Sequence, residues 1–165
     1  MRITLETVER VAFAGGASFG KAGPYEQLAG KIRLGVDPNA PHNRVIVDLD
    51  KAPKGADGLV ECVADFTILK PVDLAKGNRR LFYDWGNRGN IRCLQFFNDA
   101  IHSNTPREAA HAGNGFLFRR GYTVVWVAWE GDLLPGDGRF VLETPIATEN
   151  GTPITAPVRV EYKIG

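Results

Sequence analysis

The run Tyr122-Thr123-Val124-Val125-Trp126-Val127-Ala128-Trp129 is apolar on both parities. A strand with no polar side expects cover above and below, as strands of parallel sheets have, and this restricts the chain to folds with a layered interior. The preceding residues supply a return path for such a strand. Leu81-Phe82-Tyr83-Asp84-Trp85 reads as a compact apolar strand, and Gly86-Asn87-Arg88-Gly89-Asn90 as a loop of residues that tolerate left-handed backbone. Ile91, Leu94 and Phe97 then fall at roughly helical spacing. Thr105-Pro106-Arg107-Glu108 matches a capping box with proline at the first helical position, predicting a further helix that Gly113 and Gly115 interrupt and Gly121 caps after Arg120. A strand, a helical crossover and a second strand predict parallel pairing of Leu81–Trp85 with Tyr122–Trp129, with Val124 and Trp126 fully buried.

Ahead of residue 79 the pattern has period two. Ile3, Leu5, Val11 and Phe13 share one parity, and Ile32, Leu34 and Val36 alternate with Lys31, Arg33 and Asp37. Val60, Cys62, Ala64, Phe66 and Ile68 line one face of a strand whose other face carries Glu61, Asp65 and Thr67, and Pro71 ends it. This succession predicts antiparallel hairpins or a meander. After Glu130-Gly131-Asp132 and the turn Pro135-Gly136-Asp137-Gly138, a strand is expected around Phe140 to Glu143. Val158, Val160, Tyr162 and Ile164 alternate with Arg159, Glu161 and Lys163 as a last strand. The expected class is α/β, with an antiparallel β-rich part over 1–78, a strand-loop-helix-strand unit over 79–132 and a β extension over 133–165.

Composition narrows the function classes. Hydrophobic residues at 44% and charged residues at 24% make an ordinary globular balance and exclude wholesale disorder. With 20 Lys plus Arg against 19 Asp plus Glu, no net field draws the surface to nucleic acid or anionic lipid. The two cysteines, Cys62 and Cys93, form no CxxC pair and read as reduced, small hydrophobes. MRITLETVER places charges where a signal peptide needs an apolar run, and no apolar stretch reaches membrane-spanning length. A soluble chain is expected, with the cytoplasm favoured and no cofactor.

Candidate catalytic groups are few. Gly16-Ala17-Ser18-Phe19-Gly20 matches G-x-S-x-G, but that motif needs a buried strand before it and a helix at once after it, and Gly23-Pro24 breaks any such helix. Ser103, the other serine, has no such context. Glu108 and His111, and more weakly Asp99 and His102, have the i, i+3 spacing of helical metal ligands, without the partner motifs a carboxylate site requires; His42 lies in a surface turn. Gly113-Asn114-Gly115 lacks the preceding strand and third glycine of a dinucleotide fingerprint.

GPYEQLAGKIRLGVDP, VIVDLDKAP, LFYDWGNRGN and GFLFRRGYTVVWVAWEGD together resemble the N-terminal region of a family of large bacterial α/β-hydrolase-domain proteins of largely unassigned substrate. The resemblance implies an α/β-hydrolase-like mixed sheet and a serine hydrolase acting on an ester or similar acyl compound, with nucleophile, acid and histidine beyond residue 165. By the same analogy Asn87, Arg88 and Gly89 fall at the oxyanion-loop position, where fixed backbone donors meet charge developing in acyl transfer, and Trp85 and Gly86 shape the approach to substrate. The plain alternative for the NRGN stretch is a tight turn with Asn90 capping the helix. For the whole chain, the alternative is a non-catalytic β-rich structural or interaction module with Trp85, Trp126 and Trp129 as core. The isolated chain is expected to be inactive. It is also expected to leave Tyr122–Trp129 without a neighbour, so that it self-associates or docks with the rest of its polypeptide or another chain.

Overall fold

The computed structural model of the chain describes residues 1–157 and 159–162. Strands β1 (Arg2–Ala12), β2 (Tyr25–Val36) and β3 (Val60–Pro71) form an antiparallel meander, as the period-two pattern predicts. Strands β4 (Leu81–Tyr83) and β5 (Thr123–Val127) complete a path in the order β1-β2-β3-β5-β4. Strand β6 (Leu142–Glu143) continues the line of β5 along β3, with Leu142 opposite Ala64. A separate hairpin of β7 (Thr148–Glu149) and β8 (Thr152–Pro153) turns through Asn150 and Gly151, both at positive φ, which is the conformation Asn-Gly supplies.

One sheet face carries the core. Tyr25, Leu69, Val124 and Trp126 are buried there under Phe13, Leu117 and Phe118, with Phe19 packed at the margin. The Phe118 ring lies 5.0 Å from those of Phe13, Phe19 and Tyr25. Tyr25 keeps its polar tip satisfied, its hydroxyl donating to the carbonyls of Phe118 at 3.1 Å and Tyr122 at 2.9 Å, while burial pushes its phenol pKa well up.

Strand β5 pairs in parallel with β4, Phe82 opposite Val124, and Val124 and Trp126 are fully buried. The α/β assignment is nevertheless overturned. The helices α1 (Cys93–Asn98) and α2 (Phe116–Arg119) have six and four residues, and every other strand pairing among the described residues is antiparallel. The molecule is β-rich with a mixed sheet. The crossover loses its helix for a local reason. Asn98 is buried, and its amide donates to the Ala112 carbonyl at 3.1 Å and accepts from the Leu117 N–H at 3.0 Å, fastening the loop by side-chain bonds instead of helical ones. Gly113 passes so near the Asn98 carbonyl that a Cβ would stand 2.1 Å from it. The capping box forms at Glu108 with His111, three residues after Thr105, and opens only a short 3-10 turn over Ala109–Ala112.

Smaller corrections follow from packing. A bulge between Thr7 and Glu9 reverses the facing of β1, so Ile3 and Leu5 do not share a face with Val11 and both stand exposed. Burial alternates along β5, because its other neighbour is antiparallel β3 and Val125 and Val127 are only half covered. Being flanked by β3 and β4, β5 is not the unpaired edge; β4 is. Phe97 is exposed and sets its ring 5.0 Å from Phe82. Val160 and Tyr162 are exposed and outside any strand, and Val158, Lys163 and Ile164 lie outside the described residues.

Glu26 on β2 is 6% exposed and answers two cations, Arg10 with a 2.9 Å hydrogen bond from Nη2 and Lys70 from the facing strand. The Arg10 hydrogen bond, followed by the attraction of Lys70, holds this carboxyl below the usual carboxylate range against the opposing effect of burial. A depressed folded pKa contributes stability that is complete above the unfolded pKa and is lost as pH falls through the folded one. Glu26→Gln is therefore expected to cost about 1–2 kcal/mol at neutral pH, with Arg10 counted little because it is exposed to screening. It should also flatten the decline in stability seen below about pH 5. Urea unfolding across a pH series checks this; profiles of identical shape would remove the pair from the account.

Candidate functional site

The loop after β4 is a type I′-like turn. Arg88 and Gly89 have φ of 51° and 74°, and Asn87 and Asn90 exchange both backbone hydrogen bonds at 3.0 and 3.1 Å. Asn90 steadies the turn from within, its amide nitrogen donating to the carbonyls of Asn87 at 3.3 Å and Arg88 at 3.1 Å. It does not cap α1. That end is served by Asp84, whose Oδ2 accepts from the N–H groups of Arg92 at 3.1 Å and Cys93 at 3.0 Å and from Trp126 Nε1 at 2.7 Å.

The turn is clamped from behind by the chain that follows β5. The buried Gly89 N–H donates to Glu130 Oε2 at 3.1 Å, and its carbonyl accepts from the Phe140 N–H at 2.9 Å. A Cβ on Gly89 would meet the Arg139 Cβ at 2.9 Å and the Phe140 carbonyl oxygen at 3.0 Å, so only glycine fits at this approach. Arg88 reaches Asp132 at 2.8 Å and Glu130 at 3.8 Å. Its hydrogen bond holds the Asp132 carboxyl below the usual range. Trp129 donates from Nε1 to the Gly86 carbonyl at 2.7 Å and meets Trp85 edge to face at 5.9 Å. Asn104 ties the underside, accepting from the Ile91 N–H and donating to Asn90 Oδ1 and the Asp137 carbonyl. Only about 10 Å³ remains between the turn and the strand behind it, room for one water.

In front of the turn lies an open cleft of about 310 Å³ lined by Asp84, Trp85, Gly86, Asn87, Asn90, Arg92 and Phe96. The structure thus keeps the five sequence-derived candidates, Trp85 to Gly89, together, but it divides their donors. The N–H groups of Asn87 and Gly89 are spent on Asn90 and Glu130, while those of Gly86 and Arg88 have no acceptor among the described residues. Of the three tryptophans read as core, Trp126 is buried and Trp85 and Trp129 are exposed.

The remaining candidates do not join this site. Ser18 is exposed and bridges Pro24, and Ser103 Oγ accepts from the Thr105 N–H. His111 Nδ1 accepts from the N–H groups of Arg107 and Glu108, each at 3.0 Å, which makes it a cap. Among the described residues no serine hydroxyl is hydrogen-bonded to a histidine, and no three His, Cys, Asp or Glu side chains gather as metal ligands. Cys93 is buried, and burial and then the nearby Asp84 charge push its thiol pKa far up, so it stays protonated. No described helix is long and apolar enough to cross a membrane.

Sequence reading missed Asp84, Arg92, Asn104 and Glu130 as parts of the site. Asp84 carried a signal, a lone carboxylate inside the apolar run LFYDW, where a charge persists only if it has donors. No protein-family model, no curated protein and no solved structure matches this chain.

Gly89→Ala should destabilise the fold by about 1–3 kcal/mol, because it adds a Cβ both at positive φ and against fixed backbone. Arg88→Gly, at an equally left-handed but exposed position, should lie within about 0.5 kcal/mol of the parent. Thermal unfolding of the two variants side by side checks the contrast, and equal losses would refute the clamp.

Proposed function

We propose that the chain supplies the substrate-facing scaffold of a serine-type hydrolytic site for esters or similar acyl compounds, and that the nucleophile and its acid and base partners come from groups other than those described. The observation that supports this reading is the cleft at the C-terminal end of β4, beside the one parallel strand pair among the described residues. Two backbone N–H groups there are free, and Arg92 adds a positive charge to the lining. An acyl carbonyl seated against such donors would have its oxygen stabilised as negative charge develops, the largest service a scaffold can give acyl transfer. The donors proposed are Gly86 and Arg88, with Asn87 and Gly89 shaping the turn and Trp85 offering an aromatic wall. Without an activated serine this machinery binds and does not turn over.

A second reading, a non-catalytic β-rich interaction module, is favoured by the open edge of the sheet. Leu81, Tyr83 and Trp85 are 61%, 46% and 70% exposed along β4, where apolar side chains and unpaired backbone groups coincide. Concentration-dependent self-association of the chain, abolished by Tyr83→Lys, is what this reading expects in sedimentation; a monomer at all concentrations would exclude a second copy as the occupant.

The hydrolytic reading is tested with a short alkyl phosphonate monoester, whose anionic oxygen stands in for the oxyanion of acyl transfer. Backbone amide resonances of Gly86 and Arg88 are expected to shift saturably, those of Asn87 and Gly89 to stay, and Arg92→Ala to weaken the effect about tenfold. The chain alone should hydrolyse p-nitrophenyl acetate no faster than its Ser18→Ala variant. Absence of shifts at Gly86 and Arg88 would sink the reading, and turnover that depends on Ser18 would show that the nucleophile had been misplaced.

A further inference from the structure

A second concavity, of about 390 Å³, lies on the helix-bearing side of the meander and is separate from the β4 cleft. Val8, Ala29, Phe66 and Phe140 contribute apolar lining, and Thr67 and Asn104 contribute polar groups. This volume is in the range of small-molecule sites, which combine apolar walls with a few placed polar groups.

The two polar residues differ in what they have left to give. Asn104 is fully committed, through its bonds to Ile91, Asn90 and Asp137. Thr67 is 4% exposed and its hydroxyl forms no hydrogen bond among the described residues. One register step along the same sheet face, where Gln27 opposes Leu69 and Ala29 opposes Thr67, Gln27 is 2% exposed and its Oε1 has no partner either. Unpartnered buried polar groups are rare in folded proteins and mark where a water or ligand completes the set. Two of them on neighbouring pairs of one sheet face, under an open groove, point to a ligand with a polar group at its buried end.

The charges around the groove decide the kind of polar group. Lys31 is held by Asp65 at 2.8 Å and Glu143 at 3.0 Å, Arg107 by Glu9, and Arg139 by Asp137 at 3.6 Å. Each of these cations already faces a carboxylate, so a charged ligand would lose hydration without gaining an unpaired counter-charge. A hydroxyl both donates and accepts, and so it can serve the Thr67 hydroxyl and the Gln27 carbonyl. We propose that this groove binds a small, uncharged molecule with an apolar body and a single hydroxyl group, an aromatic or aliphatic alcohol.

Benzyl alcohol serves as the probe, with toluene, benzoate and benzylamine as comparators, and backbone amide shifts of the whole chain are the readout. Benzyl alcohol is expected to shift Ala29 and Thr67 saturably in the millimolar range, and each comparator to bind about tenfold more weakly. Thr67→Val should weaken the alcohol to the level of toluene, and Thr67→Ser should restore it. Val8→Trp, at an exposed position on the rim, should block the groove while leaving the fold intact, so the result does not depend on the Thr67 variants folding. The proposal fails if benzyl alcohol gives no saturable shift at tens of millimolar, if benzoate or toluene binds as well, or if Val8→Trp has no effect. Shifts here and at Gly86 and Arg88 are read in separate parts of one spectrum, so either site can fail alone.

Discussion

The Asp84 carboxylate is the group on which the second half of the molecule depends. One oxygen receives the indole N–H of Trp126 and the N–H groups of Arg92 and Cys93, while the Asp84 backbone N–H bonds to the Val125 carbonyl at 3.0 Å. A single residue thus joins the end of β4, the middle of β5 and the start of α1. Leaving the Trp126 N–H buried without this acceptor would cost about 1–3 kcal/mol, before counting the two backbone donors. The turn that follows is set by the same residue, since the chain from 85 to 91 must leave Asp84 and return to it.

That return explains why the turn is both rigid and only half available. An internal anion, Glu130, already occupies the Gly89 amide that a loop of this type would otherwise offer, and the carbonyl side is taken by Phe140. The arrangement exchanges donor capacity for fixed geometry. Amide side chains do comparable work elsewhere: Asn98 holds the crossover loop and Asn104 the underside of the turn, both buried and both fully bonded. Helical hydrogen bonds would have satisfied the same backbone, and three asparagines with several left-handed residues satisfy it differently.

Much of the sheet was legible because alternation is a local signal. The single face of Val60 to Ile68, the β4 and β5 runs and their parallel relation all follow from period and spacing. The helices were not legible, because capping chemistry is shared between a long helix and a single 3-10 turn, and only the long-range contact of Gly113 with Asn98 decides between them. The β1 bulge was hidden for a similar reason: its position answers to Gly30 on the next strand, where a Cβ would stand 2.0 Å from the Glu6 carbonyl oxygen. At the candidate site, residues contiguous in the chain were found and those arriving from 92, 104 and 130 were not. Composition cannot report which distant carboxylate will claim an amide.

The strand order also has a consequence for the nascent chain. Because β5 sits between β3 and β4, the later-made strand is the inner one, and β4 has no partner until residue 127 has been made. The meander can close early through contacts between chain neighbours, but the β3 edge with Phe66 and Ile68 then waits, uncovered, across a long stretch of synthesis. Loop closure over that separation is slow, and an apolar edge held open is what chaperones recognise and what misassembles when they are scarce. The position of a single late strand therefore makes the chain's passage from ribosome to folded state the step most exposed to failure.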